Sequence, residues 1–213
     1  MINAHLGRLS TILCLGAHAD DIEIGCGGTL LKLLAEYKPA EVHWVILGAN
    51  ERRAEEARQS AELFLGDVTD YRLTVKSFRD TFFPYEGARI KEYFRQLQSE
   101  VSPDVVFTSR REDMHQDHRL VAELTWNAFR NHLIFEYEIP KYEGDLGTPN
   151  IFVPLDKPTC QKKVEYIDRA FQSQHNKPWF TDETFWSLMR IRGVECNSPT
   201  GYAEGLYCRK LTI

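Results

Sequence analysis

Residues 11–30, TILCLGAHADDIEIGCGGTL, decide the fold. An apolar run, Ile12, Leu13, Cys14 and Leu15, stops at Gly16, and a histidine, two adjacent aspartates and a group of glycines follow. The run has no alternating polar partner, as expected of a strand buried on both faces of a sheet. Gly25, Cys26, Gly27 and Gly28 then lead into TLLKLLAEYK, whose leucines at 30, 31, 33 and 34 form an apolar stripe at helical spacing. The order is strand, polar loop, helix. Open parallel α/β sheets bind their ligands outside the carboxyl ends of the strands, so His18, Asp20 and Asp21 fall at the expected edge of a site. The glycines do not make a dinucleotide fingerprint, because the third glycine would fall at Leu30.

The same alternation continues outward from this stretch. Residues 42–47 read as a second strand and 51–65 as a helix by propensity. Tyr71–Val75 is a candidate third strand, and 87–100 is helical in pattern. Pro103 introduces a compact buried strand over 104–108, and the loop SRREDMHQDH delivers polar residues at its carboxyl end. A helix over about 117–130 and a strand over 134–139 come next. Residues 140–150 are polar and turn-rich, suited to a surface loop bordering the site. A short strand over 151–155 precedes a helix capped by Asp156, with Pro158 in its first turn, that runs to about residue 173. A helix over 181–190 and an edge strand within 205–212 close the chain. Strands and helices alternating at this spacing predict a Rossmann-like three-layer α/β/α fold with a mostly parallel sheet, formed by residues 1–213 as a single domain.

Composition narrows the function classes. The chain has 213 residues, 43% of them hydrophobic, and no Pro/Ser/Gly tract divides it. A formal net charge of −5 argues against a nucleic-acid footprint, which calls for clustered Lys and Arg. Five cysteines, at 14, 26, 160, 196 and 208, include no CxxC pair, so neither a disulfide framework nor a thiolate zinc knot is indicated. A cytoplasmic location is expected. No apolar run approaches the roughly 18 residues of a membrane span.

Two polar loops carry the chemistry. His18, Asp20 and Asp21 follow the first strand, and His115, Asp117 and His118 follow the fourth. If those strands are neighbours, the loops open on one edge and a metal is the economical explanation. Two histidines and a carboxylate meet the N/O ligand set of a hydrolytic zinc site, and the remaining aspartate and histidine can carry protons. The blander alternatives are that the aspartates cap turns and the histidines are solvated. Both would have to hold at two strand ends at once. Arg53 and Glu56, at i and i+3, fit a surface pair as well as a substrate contact.

AHADDIEIGCGGTL resembles the AHPDD-type signature of the PIG-L/LmbE family of zinc-dependent N-acetylglucosaminyl deacetylases, and HQDH resembles that family's second motif. Ala19 stands where proline is usual, and Ile22 replaces a common glutamate. Arg53-x-x-Glu56, Ser173-Gln174 and Tyr202-Ala203-Glu204 extend the likeness more loosely. The resemblance implies that His18, Asp21 and His118 bind Zn2+, with Fe2+ the other metal considered. It also implies that Asp20 is the general base, that His115 stabilises the oxyanion and protonates the leaving amine, that Asp117 orients a histidine, and that Arg53 contacts substrate. Spacing alone leaves His115 and His118 free to exchange roles, and gives none to Glu56, Asp113 or Glu204.

The function expected from this reading is hydrolysis of the acetamide of an N-acetylated amino sugar, a sugar nucleotide or glycoconjugate precursor. The expected partner is that small molecule, with no nucleic acid and no membrane span; a homo-oligomer is left open. Two rival readings stand beside it. One is a non-haem iron oxygenase, whose triad is also two histidines and a carboxylate; the other is a Rossmann-like sugar- or nucleotide-binding protein without turnover.

Overall fold

The structure is a computed structural model that describes residues 5–212. Its elements are β1 (Thr11–His18), α1 (Asp21–Tyr37), β2 (Glu41–Gly48), α2 (Glu51–Leu65), β3 (Tyr71–Val75), α3 (Gly87–Glu100), β4 (Val105–Ser109), α4 (Gln116–Ala128), β5 (Leu133–Tyr137), β6 (Ile151–Leu155), α5 (Lys157–Ala170), α6 (Asp182–Glu195) and β7 (Tyr202–Tyr207). Short 3-10 turns lie at Phe83–Tyr85 and Gln172–Gln174.

The seven strands form one sheet in the order β3-β2-β1-β4-β5-β7-β6. Every pair from β3 to β5 is parallel, and β7 runs antiparallel to both its neighbours. The apolar strands serve two cores. In β1, Ile12 and Cys14 face one side with Trp44 and Phe107, while Leu13 and Leu15 face the other with Val45 and Val106. Helices α1, α2, α5 and α6 cover the first face, and α3 and α4 the second. This is the three-layer α/β/α arrangement expected, and it explains why these strands show no polar alternation.

Three local expectations are corrected. Residues 18–28 are not an extended loop, because α1 begins at Asp21. The Asp21 carboxylate accepts from the His18 amide at 2.8 Å and so closes the turn between strand and helix. Asp21 and Glu23 also place negative charge in the first helical turn, where the helix dipole favours it. The glycines therefore lie inside the helix rather than before it. A Cβ at Gly25 would come within 2.3 Å of the Tyr137 ring, and one at Gly28 within 2.5 Å of Leu155, so glycine permits α1 to lie close on the sheet. The last strand, expected at an edge, is inserted between β5 and β6, and β6 takes the edge. The last helix also runs further than 181–190, to Glu195.

Helix α1 is broken at Cys26, whose φ and ψ of −146° and 17° are not helical. A break exposes carbonyls on one side and amides on the other. A buried ion pair takes up both. Lys163 Nζ, from α5, donates to the Ile24 carbonyl at 2.7 Å and pairs with Glu204 Oε1 at 2.6 Å. Glu204, from β7, accepts from the amides of Gly28 and Thr29 at 2.8 and 2.6 Å. The C-terminal elements thus lock the helix that opens with Asp21.

Candidate metal centre and pocket

β1 and β4 are neighbours, and the strand order reverses direction between them. A doubly wound sheet opens its ligand crevice at such a switch point. His18 is the last residue of β1, Asp21 the first of α1, and His118 lies in the first turn of α4. Short connections at one sheet edge bring the two polar segments together.

His18 Nδ1 is 3.2 Å from His118 Nε2 and 3.7 Å from Asp21 Oδ2, and His118 Nε2 is 3.4 Å from Asp21 Oδ1. Four-coordinate zinc with bonds of about 2.0–2.2 Å spaces its ligands about 3.3–3.6 Å apart, so the donor set and its spacing fit that ion. The other nitrogen of each histidine is held by carboxylates. Asp113 Oδ2 meets His118 Nδ1 at 2.9 Å, and His18 Nε2 lies 2.9 Å from Asp80 Oδ1 and 3.2 Å from Asp117 Oδ2. Such outer carboxylates fix which nitrogen faces the metal. Asp117 also accepts from the amides of Thr81 and Phe83 at 2.6 and 3.1 Å, which ties the loop after β3 to α4.

Burial gives these charges weight. Burial works against a charged His118, but Asp21 and then Asp113 outweigh it and hold the ring up at about 9. His18 is likewise raised against burial, first by Asp117, Asp21 and Asp80. For Asp21, burial favours the neutral acid, and the two histidines override it and keep the carboxyl well below its usual range. The site is a compact network of carboxylates and imidazoles that raise or lower one another's proton affinity.

His115 differs from its neighbour. It caps α4, its Nδ1 accepting from the Asp117 amide at 3.3 Å, and its ring centroid lies 4.7 Å from that of His118 and 5.0 Å from that of His18. With Nδ1 accepting, the neutral ring carries its proton on Nε2. Burial, followed by the positive charge of His118 and His18, lowers its pKa. It is a ring that parts with a second proton easily. His115 also offers a nitrogen within 4.8 Å of ligand atoms of His18 and His118, and a second such group joins it with His18, Asp80 and Asp117.

Asp20 lies beside the centre and its Oδ1 is 2.8 Å from Arg53 Nη2. Arg53 Nη1 donates to Glu56 at 2.8 Å, and Glu56 in turn accepts from the amide and hydroxyl of Ser173, both at 2.7 Å. The Arg53 and Glu56 side chains are 14% and 8% exposed, which rules out a solvated surface pair. All seven expected site residues therefore gather at one sheet edge. Asp80 was not foreseen, since it is an isolated acid in an irregular loop; its position beyond the carboxyl end of β3 was the available signal. Asp113 now has a definite partner in His118. Glu204 is absent from this edge and belongs to the break in α1.

These groups open into a cavity of about 940 Å³, bounded by the start of α2, the 77–81 loop, residues 139–143 and residues 173–179. The polar 140–150 stretch borders the site as expected, through Lys141, Tyr142 and Glu143, and Trp179 stands in the wall. No described helix is long and apolar enough to cross a membrane.

Fold and site together define a doubly wound α/β protein with a His/Asp cluster at its switch point, of a kind that could hold a metal ion, beside an open pocket. The chain belongs to the PIG-L family, whose sequence model, described as GlcNAc-PI de-N-acetylase, matches residues 13–129 and spans both polar segments. Its class is thus that of the de-N-acetylase hydrolases. Solved structures share the fold over nearly the whole chain. The conserved protein TT1542 from Thermus thermophilus superposes with a TM-score of 0.73 at 20% identity, covering 97% of each chain. N,N'-diacetylchitobiose deacetylase from Pyrococcus horikoshii gives 0.70 at 21% identity, covering 94% of this chain and 84% of that one. GalB, the 4-carboxy-2-hydroxymuconate hydratase from Pseudomonas putida, gives 0.68 at 21%, covering 96% and 98%. One fold thus serves a deacetylase and a hydratase, and the reaction has to be argued from the site.

Proposed function

We propose that the protein is a zinc-dependent N-deacetylase that hydrolyses the acetamide of an N-acetylated amino sugar, carried on a sugar nucleotide or another glycoconjugate precursor. The observation that carries this reading is the convergence of His18 Nδ1, His118 Nε2 and the Asp21 carboxylate at zinc-ligand spacing beside a second, separate acid-base pair, Asp20 and His115. A redox triad needs no such pair. One sheet carrying both polar segments and the pocket wall supports a single deacetylase domain, and five free cysteines support a reducing, cytoplasmic setting.

In this reading His18, Asp21 and His118 hold Zn2+, with Fe2+ the alternative ion, and the metal supplies Lewis-acid polarisation and acidifies water. Asp20 takes a proton from the attacking water, whose oxygen bonds to the acetamide carbon. His115, in its protonated form, donates a hydrogen bond through Nε2 to the developing oxyanion and delivers that proton to the departing nitrogen as the C–N bond breaks, returning to the neutral ring. Acetate and a free amine leave. Asp117 holds His18, Asp113 holds His118, and Arg53 fixes the direction of the Asp20 carboxylate while facing the pocket.

The test is turnover of N-acetylated sugars in 18O-labelled water by the zinc-loaded protein, with acetate and amine both quantified. Equal amounts of the two, with one label in each acetate, are expected. Dioxygen consumption with Fe2+ and a cosubstrate would replace this reading with an oxygenase, and tight sugar binding without acetate would replace it with a binding protein.

A further inference from the structure

We propose, building on the deacetylase reading, that the substrate carries an anionic arm, a phosphate or carboxylate beyond its acetamide, and that Arg79 and Lys177, aided by Arg52, receive it at the mouth of the pocket.

Charge around the pocket is unevenly matched. Its carboxylates are mostly engaged: the buried Asp20 by Arg53 at 2.8 Å, the buried Asp21 by His18 and His118, and the largely exposed Asp80 by His18 at 2.9 Å. One wall cation is also satisfied, since Lys141 Nζ lies 2.9 Å from Asp113 and 2.8 Å from Asp145. The mouth is different. Arg52 has its nearest carboxylate oxygen at 3.9 Å, on a Glu56 that Arg53 and Ser173 already occupy. Arg79 stacks its guanidinium carbon 3.6 Å from the Phe82 ring centroid and forms no ion pair among the described residues. Lys177 is likewise unpaired among them and lies over the Trp179 ring at 5.6 Å.

These three cations come from the start of α2, the loop after β3 and the segment after the second 3-10 turn, and all three line the one cavity. Two exposed wall carboxylates oppose them, Glu143 and Asp80, and Asp80 is paired with His18. In a chain of net charge −5, such a gathering makes the entrance locally positive, and a cleft of one sign concentrates ligands of the other. Guanidinium stacked on an aromatic ring keeps its fork of donors free and pre-oriented for a bidentate oxyanion.

The experiment compares kcat/KM of the zinc-loaded protein for neutral N-acetylglucosamine and diacetylchitobiose with that for N-acetylglucosamine 1-phosphate, UDP-N-acetylglucosamine and a carboxylate-bearing N-acetylglucosaminide. Calorimetric binding of glucosamine 1-phosphate against glucosamine runs beside it. The anionic compounds are expected to be preferred by at least about tenfold, the size of one charge-assisted hydrogen bond. The preference should fall to about one in Arg79→Gln/Lys177→Gln and survive in Lys91→Gln/Arg95→Gln, an equal charge change on α3 away from the pocket. The better of the phosphate and carboxylate substrates identifies the arm. Equal use of neutral and anionic substrates, or a preference that persists in the double variant, would overturn the inference and leave the deacetylase intact. Tighter, Arg79- and Lys177-dependent binding of the phosphate without acetate from any substrate would keep the anion site and remove the deacetylase.

Discussion

Residues 13–129 and the segment beyond them contribute to one pocket in different ways. The first part carries the candidate metal and acid-base residues at the ends of parallel strands: His18 at the end of β1, the His115 to His118 turn after β4, and Arg53 on α2. The second adds Lys141, Ser173, Lys177 and Trp179 to the wall, and reaches back through Lys163 and Glu204 to hold the helix on which Asp21 sits. The difference teaches that the His/Asp cluster depends on strand adjacency within 13–129, whereas the bracing of α1 and part of the pocket wall come from elements laid across that frame later in the chain.

The comparison breaks first if the metal ligands do not act together. Asp21→Asn and His118→Ala should each lose stoichiometric zinc and lower turnover by at least about a thousandfold, because an open zinc site uses three protein ligands. Elemental analysis of the purified variants checks this, and full zinc occupancy in both would break it. Next in size is the brace. Glu204→Gln leaves Lys163 buried without its charge partner and should cost about 3–5 kcal/mol, read from urea unfolding. Lys163→Met/Glu204→Gln should cost less than the sum of its parts. A change below about 1 kcal/mol would detach the C-terminal elements from the integrity of α1.

A proton count sharpens the same contrast. Zinc needs neutral imidazole and ionised carboxylate. His118 is held up at about 9 by Asp21 and Asp113 against burial, and His18 is raised too, so below that range protons compete with the metal. Zinc affinity should therefore rise with pH through neutrality, and binding at pH 7 should release protons, seen as a dependence of the calorimetric heat on buffer ionisation enthalpy. A buffer-independent heat would contradict the network. The smallest effect is expected at the wall: Trp179→Ala should raise KM about two- to tenfold with little change in kcat, the loss of one aromatic contact. A collapse of kcat instead would move this residue from the wall into the chemistry.

Much of this is legible in the sequence. Continuous apolar runs such as 12–15 read directly as doubly buried strands, and a polar cluster after each of two such strands pointed to one edge. The first segment misled because its glycines suggested a loop, whereas Gly25 and Gly28 are used inside a helix for close approach to Tyr137 and Leu155. Glu204 was visible as a motif residue, yet its task lies 175 positions away at Thr29 and no local pattern announces that. The place of β7 inside the sheet had no signal either, since strand order is set by pairing across long separations. Asp80 and Lys177 lie in irregular loops with no periodic pattern, and only the closing of the pocket brings them to one wall.

The central claim is that Asp20 and the metal cluster do different work in one hydrolytic site. Acetate release by wild type beside Asp20→Asn, with zinc quantified in the same samples, tests it most directly. The account predicts full zinc in both and a loss of about a hundred- to ten-thousandfold in kcat for the variant, as for removal of a general base. Unchanged acetate release by zinc-loaded Asp20→Asn would contradict it.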